Sequence, residues 1–180
     1  MKKILYLFIV CCLLITGCGM NKTASGAVTD YLELYTTLDS SVTDQLNEQL
    51  EKEEMTDEQK ETYKEVMKKQ YSSLNYEVIN ETINGNEAYV TVRVNVIDLY
   101  NSQQEAAKYF NEHKEEFNDE QGVYSKEKYM TYKLDRMKNE TKTITHTIEF
   151  KAIKNGDIWE VTQLSTDDLE KIHGIYNSVE

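Results

Sequence analysis

The stretch YEVINETINGNEAYVTVRVNVIDL, residues 76–99, decides the class of fold. Its second half alternates apolar and polar residues, which is the period-2 pattern of a strand with one buried face. Asn84-Gly85-Asn86 interrupts the run, and Asn-Gly is a strong hairpin signal because both residues tolerate positive φ. We therefore predict two antiparallel strands, residues 76–83 and 87–99.

A second hairpin is predicted further along the chain. Residues 141–154 alternate in the same way and turn at Asn155-Gly156-Asp157 into residues 158–164. Together the two hairpins predict an antiparallel sheet with one buried face. The side chains that share the buried face of the second hairpin are Ile144, His146, Ile148, Phe150, Ala152, Trp159 and Val161.

Helical periodicity precedes and follows the strands, so the predicted class is α+β. Three segments before residue 75 repeat apolar residues at spacings of three and four. Ser40 or Ser41 is expected to cap the second of them, and Thr56-Asp57-Glu58-Gln59 matches a capping box for the third. Ser165 is expected to cap a C-terminal helix. The apolar positions of the first three helices are Val28, Tyr31, Leu32, Tyr35, Leu38, Val42, Leu46, Leu50, Tyr63, Val66, Met67, Tyr71 and Leu74.

Residues 103–137, between the hairpins, form a predicted helical insertion that is rich in tyrosine. Tyrosines supply large amphipathic contacts, so this segment is a candidate partner surface for an envelope protein or a small ligand. The alternative is that the same side chains pack the insertion onto the sheet, as their helical spacing favours. The candidate residues are Tyr109, Tyr124, Tyr129 and Tyr132.

The N-terminus reads as an export signal. Lys2 and Lys3 precede an apolar run from Ile4 to Ile15, which fits a signal peptide and is shorter than the roughly 20 residues that span a bilayer. One interpretation is an ordinary signal peptide or an uncleaved anchor. The other comes from Ile15-Thr16-Gly17-Cys18, which resembles the bacterial lipobox.

The lipobox resemblance implies a lipid anchor. Cleavage would fall between Gly17 and Cys18, and the Cys18 thiol would carry diacylglycerol in the outer face of the cell membrane. Residues 1–17 are then a signal peptide, residues 18–26 the lipidated cysteine and a tether, and residues 27–180 a single extracytoplasmic domain. Cys11 and Cys12 leave with the leader, so the mature domain has no thiol for catalysis or for a disulfide.

The charge of the chain limits the classes of partner. It holds 20 basic and 32 acidic residues, a formal net charge of −12. Without Lys2 and Lys3 the basic residues number 18 against the same 32, which gives −14 for the mature protein. Such a surface repels nucleic acid and anionic lipid and favours cationic partners. No phosphate-binding glycine loop, serine elbow or zinc-protease motif occurs, and no cofactor is predicted.

One order of elements carries a family resemblance. Helices come first, and antiparallel hairpins follow that close on Lys154-Asn155-Gly156-Asp157-Ile158-Trp159-Glu160-Val161. This pattern resembles the cone-shaped fold of the nuclear transport factor 2-like superfamily. More closely, it is similar to small lipid-anchored proteins of Gram-positive bacteria with such a domain and no assigned activity. The resemblance implies a strongly curved sheet that wraps against helices around a conical cavity, although the insertion at 103–137 departs from the simplest form.

The resemblance leaves several functions open, because members of the superfamily catalyse acid–base reactions, bind ligands or proteins, or serve only as structure. We expect a non-catalytic binding module. The alternatives are a pocket enzyme, such as an isomerase or dehydratase, and a purely structural surface lipoprotein. His146 would be the base of the enzyme, with Phe150 and Trp159 in the same pocket; it is otherwise a core histidine.

The other two histidines are assigned no catalytic or metal-binding role, and His113 is expected at the polar edge of an amphipathic stripe. His113 with Glu112 or Glu116 offers at most two metal ligands, whereas zinc needs three or four, so no metal site is predicted. His173, beside Glu170, is expected to be a cation near the C-terminus of the last helix.

Overall fold

The structure is a computed structural model, and it describes residues 22–177. The predicted leader, Gly17 and Cys18 lie outside these residues. None of the helices between residues 22 and 177 is long and apolar enough to cross a bilayer. The elements are α1 (Ala24–Thr36), α2 (Ser40–Glu51), α3 (Asp57–Ser72), β1 (Asn75–Asn84), β2 (Glu87–Ile97), α4 (Leu99–Glu112), a 3-10 turn (Lys114–Phe117), α5 (Lys126–Asn139), β3 (Thr143–Asn155), β4 (Ile158–Val161) and α6 (Thr166–His173).

The four strands confirm the predicted α+β class. They form one antiparallel sheet in the order β1-β2-β3-β4. β2 and β3 are central, and their alternate residues Val90, Val92, Ile148 and Phe150 are buried. β4 has only four residues, so the second hairpin is much less symmetric than the predicted pairing of 141–154 with 158–164.

Both hairpin turns contain glycine in the left-handed region. Asn84 pairs with Glu87 and Asn155 with Ile158, so each loop has two residues. Gly85 has a φ of +63° and Gly156 a φ of +64°, and no asparagine of either turn has positive φ. The prediction that Asn-Gly marks the turns is confirmed, but only the glycine supplies the required backbone conformation.

The first three helices begin at polar caps. α1 begins at Ala24, ahead of the predicted domain boundary at residue 27, because the Thr23 side chain accepts a hydrogen bond from the Gly26 N–H. Asp39, not Ser40 or Ser41, caps α2. The predicted capping box of α3 is confirmed, with Thr56 and Gln59 each accepting from the other's backbone N–H.

The predicted insertion consists of α4, the 3-10 turn and α5. α4 begins at Leu99, so the prediction that β2 extends to residue 99 is wrong. Asp98 stops the strand by capping the helix, since its carboxylate accepts from the Asn101 N–H. The prediction that Ser125 caps α5 is confirmed.

One core cluster joins helices and sheet. The helices α1, α2, α3 and α5 contribute to it, together with β2, β3, β4, Leu99 of α4 and Ile172 of α6, and Tyr76 of β1 packs against it. Its largest fully buried hydrophobic side chains are Tyr35, Phe150, Leu32, Leu50, Met67, Leu99, Leu134, Ile148, Ile172 and Val28.

Candidate functional site

The predicted tyrosines meet in an aromatic cluster within the insertion. The ring centroids of Tyr109 and Tyr132 are 5.0 Å apart, and the two rings are stacked. Phe117, which is buried, lies edge-on to Tyr129 at 5.7 Å and to Tyr132 at 5.4 Å. These contacts join α4, the 3-10 turn and α5 to one another. We call the group the aromatic tip; its members are Tyr109, Phe110, Phe117, Val123, Tyr124, Tyr129 and Tyr132.

α3 holds the aromatic tip in place. The Gln59 side-chain amide donates to the Glu127 carbonyl and to the Thr131 hydroxyl, both at 3.0 Å. Lys69 Nζ donates to the carbonyl oxygens of Lys138 and Glu140, both at 2.8 Å. α5 is therefore fixed to α3 near both of its ends, which makes the insertion a rigid extension of the core.

The loop before α5 presents two apolar side chains to solvent. Val123 is 61% exposed and Tyr124 48% exposed, although the ring centroid of Tyr124 lies 5.3 Å from that of Phe110. The Asp119 carboxylate accepts from the N–H groups of Gln121 and Val123, both at 2.9 Å, which orders the loop. Val123 was not predicted as a site residue; its only sequence signal is an isolated apolar residue in the polar segment DEQGVYS.

An open groove of about 430 Å³ runs beside the aromatic tip. Aromatic and acidic residues line it together: Phe117 and Tyr132, and Glu116, Glu127 and Asp135. The one cationic lining residue, Lys128, is occupied by a 2.6 Å hydrogen bond to the Asn118 carbonyl. Carboxylates next to aromatic faces favour a positively charged ligand group, through charge attraction and cation–π contacts.

Tyr109 is tied to the rim of this groove. Its hydroxyl donates to Glu116 at 2.9 Å, and its ring stacks on His113 with a centroid distance of 4.1 Å. The hydrogen bond to Glu116, followed by burial, raises the pKa of Tyr109. The hydroxyl is therefore a proton donor held against the carboxylate.

His146, Phe150 and Trp159 lie on the buried face of the sheet. Phe150 and Trp159 belong to the core cluster, and Tyr31 lies edge-on to Phe150 at 6.0 Å. His146 is only 8% exposed and is edge-on to Tyr176 at 5.6 Å. None of these three side chains lines the groove described above.

The imidazole of His146 keeps one buried atom unpaired. Within residues 22–177 its Nε2 has no hydrogen-bond partner. Burial is the main cause that lowers the pKa of His146, and the positive charge of Lys171 lowers it further. The negative charge of Asp98 acts in the opposite direction. Among the hydrogen bonds described for residues 22–177, the Asp98 carboxylate accepts from the Asn101 N–H and none joins it to His146, although a catalytic base needs such an orienting partner. Catalysis by His146 stays a prediction.

The remaining histidines take different roles. His113 is exposed, and its Nδ1 lies 3.2 Å from Glu116. Among residues 22–177 no group of three or more His, Cys, Asp or Glu side chains has an arrangement that holds a metal. His173 lies in the last turn of α6 as expected, but the expectation that it is a cation there is wrong, because Tyr35 and Tyr71 bury it; their ring centroids are 6.2 and 5.6 Å from the imidazole.

The stability of the fold should fall in acid because of His173. Burial lowers the pKa of His173 from 6.5 to about 4. Between these values the unfolded state binds more protons than the folded state, so the stability present above pH 6.5 is lost as the pH falls toward 4. The full loss is about 3 kcal/mol. Urea unfolding between pH 7 and pH 4 should show a shallower pH dependence for His173→Gln than for the wild type.

The carboxylates titrate in both proteins of this comparison, so the difference between the two pH profiles isolates His173. If the free energy of unfolding changed with pH equally in the wild type and in His173→Gln, His173 would not be a buried, neutral imidazole in the folded state.

Comparison with known proteins gives no match to a family model, a characterised protein or a solved structure.

Proposed function

We propose that this chain is a non-catalytic binding module, lipid-anchored through Cys18 at the outer face of the cell membrane, with the aromatic tip as its contact surface. The observation that carries the proposal is the exposure of Val123 and Tyr124 on a rigid aromatic cluster. Exposed aromatic side chains on an ordered support lose little conformational freedom on binding, which is why tyrosine is enriched in interfaces.

The charge of the groove favours a cationic partner. Glu116, Glu127 and Asp135 line it while Lys128 is engaged with backbone. The chain as a whole has a net charge of −12 and so attracts cations over longer distances. A basic segment of an envelope protein, or a small ligand with an ammonium group, has the chemistry that this groove would bind.

The proposal extends to the finer features of the fold. A conical bend of the sheet and membership of the cone-fold lipoproteins of Gram-positive bacteria agree with the observed order of elements, in which three helices precede a four-stranded antiparallel sheet. In that fold the insertion between β2 and β3 is the added part, and a family-specific function is expected where a chain departs from the common frame.

The lipid anchor is tested by changing Cys18. Cys18→Ala should abolish the attachment of lipid and the processing of the leader, because the Cys18 thiol is the proposed attachment point of the acyl chains. Metabolic labelling with a fatty acid measures the lipid, and the electrophoretic mobility of the labelled chain measures the processing. Unchanged labelling of Cys18→Ala would contradict the anchor.

The contact surface is tested by photo-crosslinking in intact cells. A photoreactive residue at Val123 should yield a discrete adduct, and the same residue at Asn47, an exposed position of α2, should not. Val123→Ser should weaken the adduct formed from a probe at Tyr124, while the free energy of unfolding changes by less than about 0.5 kcal/mol because the side chain is exposed. Identical adducts from positions 123 and 47, or none from either, would favour a purely structural lipoprotein.

A further inference from the structure

Both hairpin turns lie at the same end of the sheet. β1 ends at Asn84 and β3 ends at Asn155, and the antiparallel register pairs Glu87 with Ile153. The Lys154 N–H donates to the Asn86 carbonyl at 2.8 Å, which joins the two turns. We call residues 83–87 and 153–158 the hairpin end.

The described chain also begins at the hairpin end. The Ser25 N–H lies 3.2 Å from the Glu81 carboxylate, close to the first turn. Later in α1, the ring centroid of Tyr35 lies 5.1 Å from that of Tyr71. Tyr71 follows Gln70, which bonds to Ile97 at the opposite end of β2. α1 therefore starts at the hairpin end and runs toward the opposite end of the sheet.

Three isoleucines stand exposed at the hairpin end. Ile83 is 54% exposed, and Ile153 and Ile158 are each 36% exposed. Their register places them within about 10 Å of one another along the strand direction. Ile83 lies on the same face of the sheet as Ala88, its Cα partner, and Ile153 and Ile158 lie on the other face. Both faces of the sheet therefore present apolar side chains at the hairpin end.

The charges of the hairpin end nearly balance. Lys151 pairs with Glu87 at 2.7 Å, and Lys154 Nζ lies 5.9 Å from the centre of the Trp159 ring. The other acidic residues of the β3–β4 hairpin are Glu149, Asp157 and Glu160. Residues 83–87 and 153–158 themselves hold Lys154 against Glu87 and Asp157, a net charge of −1, so attraction to a bilayer at this end depends on its apolar side chains and not on its charge.

The length of chain before α1 decides what covers this end. Five residues lie between Cys18 and Ala24, so six Cα-to-Cα steps join the two and span at most about 20 Å. A lipid on Cys18 therefore holds the hairpin end close to the bilayer. The insertion leaves β2 at its opposite end, and eleven strand residues span about 36 Å, so α4 begins far from the hairpin end.

We infer that the hairpin end rests on the bilayer, with Ile83, Ile153 and Ile158 in contact with the boundary between headgroups and acyl chains. This inference rests on the proposed Cys18 anchor. The contact is apolar rather than electrostatic, so it persists at high salt. It orients the domain so that the end of the sheet from which the insertion departs is directed away from the bilayer.

The test uses the acylated full-length protein in vesicles of phosphatidylcholine and phosphatidylglycerol. Once Cys18 is acylated, Ile83→Cys, Ile153→Cys or Ile158→Cys supplies the only thiol of the mature chain for an environment-sensitive fluorophore. Val123→Cys is the control, since that position is at least as exposed as the three isoleucines but lies on the insertion. Labels at 83, 153 and 158 should brighten severalfold on vesicles and be quenched by brominated lipid, while the label at 123 does neither.

Three outcomes would overturn the inference, and they separate it from the anchor. If the protein floats with the vesicles but labels at 83, 153 and 158 respond like the label at 123, the orientation is wrong and the anchor stands. If the protein does not float with the vesicles, both fall. A third outcome is that these labels brighten more as more protein is bound per vesicle but are not quenched by brominated lipid. The hairpin end would then contact a second copy of the chain and not the bilayer.

Discussion

Replacing Gly174 with alanine should lower the free energy of unfolding by about 3 kcal/mol or more, because two costs add at this position. Gly174 ends α6 with a φ of +70°, a conformation that costs an L-residue about 1–2 kcal/mol. An added Cβ would also overlap with the Ile97 carbonyl oxygen and lie 2.6 Å from Gln70 Nε2. The Ile97 backbone belongs to a central strand and cannot retreat, so α6 would have to move.

Gly85→Ala and Gly156→Ala are matched controls for Gly174→Ala. Their φ values of +63° and +64° carry the same conformational cost, but nothing lies within 4 Å of a Cβ at either position. Urea unfolding of the three variants therefore separates the close approach from the backbone conformation, and hydrogen exchange of α6 amides shows whether that helix undocks. If Gly174→Ala and Gly85→Ala lowered the free energy of unfolding equally, the close approach of Ile97 to Gly174 would carry no cost.

Local signals predicted most of the secondary structure. The capping box at Thr56 and Gln59 satisfies backbone groups within one helical turn, so its outcome does not depend on the rest of the fold. The turns at Gly85 and Gly156 are equally local, because two-residue hairpin loops need a residue that accepts positive φ. Where two local signals competed, at Asp98, the cap prevailed over the strand pattern.

Long-range packing decided the features that the sequence left open. His173 reads as a helix-terminal cation, but two tyrosines from α1 and α3 bury it. The periodicity of the insertion predicted a stripe of aromatic residues. It did not indicate that they would pack against one another and be fixed to α3, since contact partners distant in sequence leave no periodic trace.

The sequence marks one buried polar residue of the core, but not the exposed residue of the candidate site. Gln70 follows Val66 and Met67 at spacings of four and three, so it stands on the apolar stripe of α3. A polar residue at such a position is informative, because buried amides are retained only with hydrogen-bond partners. The exposure of Val123, in contrast, depends on how its loop folds over Phe117, which no pattern in the sequence specifies.

Gln70→Leu should destabilise the fold by about 3 kcal/mol or more, because it leaves two buried backbone groups unpaired. Gln70 is fully buried; its Oε1 accepts from the Ile97 N–H at 3.0 Å, and its Nε2 donates to the Ile172 carbonyl at 3.1 Å. These groups belong to the end of β2 and the last turn of α6, where the ladder and the helix supply no partner. Leucine has a similar volume, so the loss measures the hydrogen bonds more than a cavity.

The matched control is Gln104→Leu, at an exposed position of α4, which should change the free energy of unfolding by less than about 0.5 kcal/mol. Urea unfolding at pH 7 compares the two variants, and an unchanged denaturant slope would show that the same surface is exposed on unfolding. The amide of Gln70 joins α3, β2 and α6. Amide hydrogen exchange in Gln70→Leu should therefore accelerate more at Ile97 and throughout α6 than in α2. A loss no larger than that of Gln104→Leu would mean that water replaces the amide and that α6 is held by its apolar contacts alone.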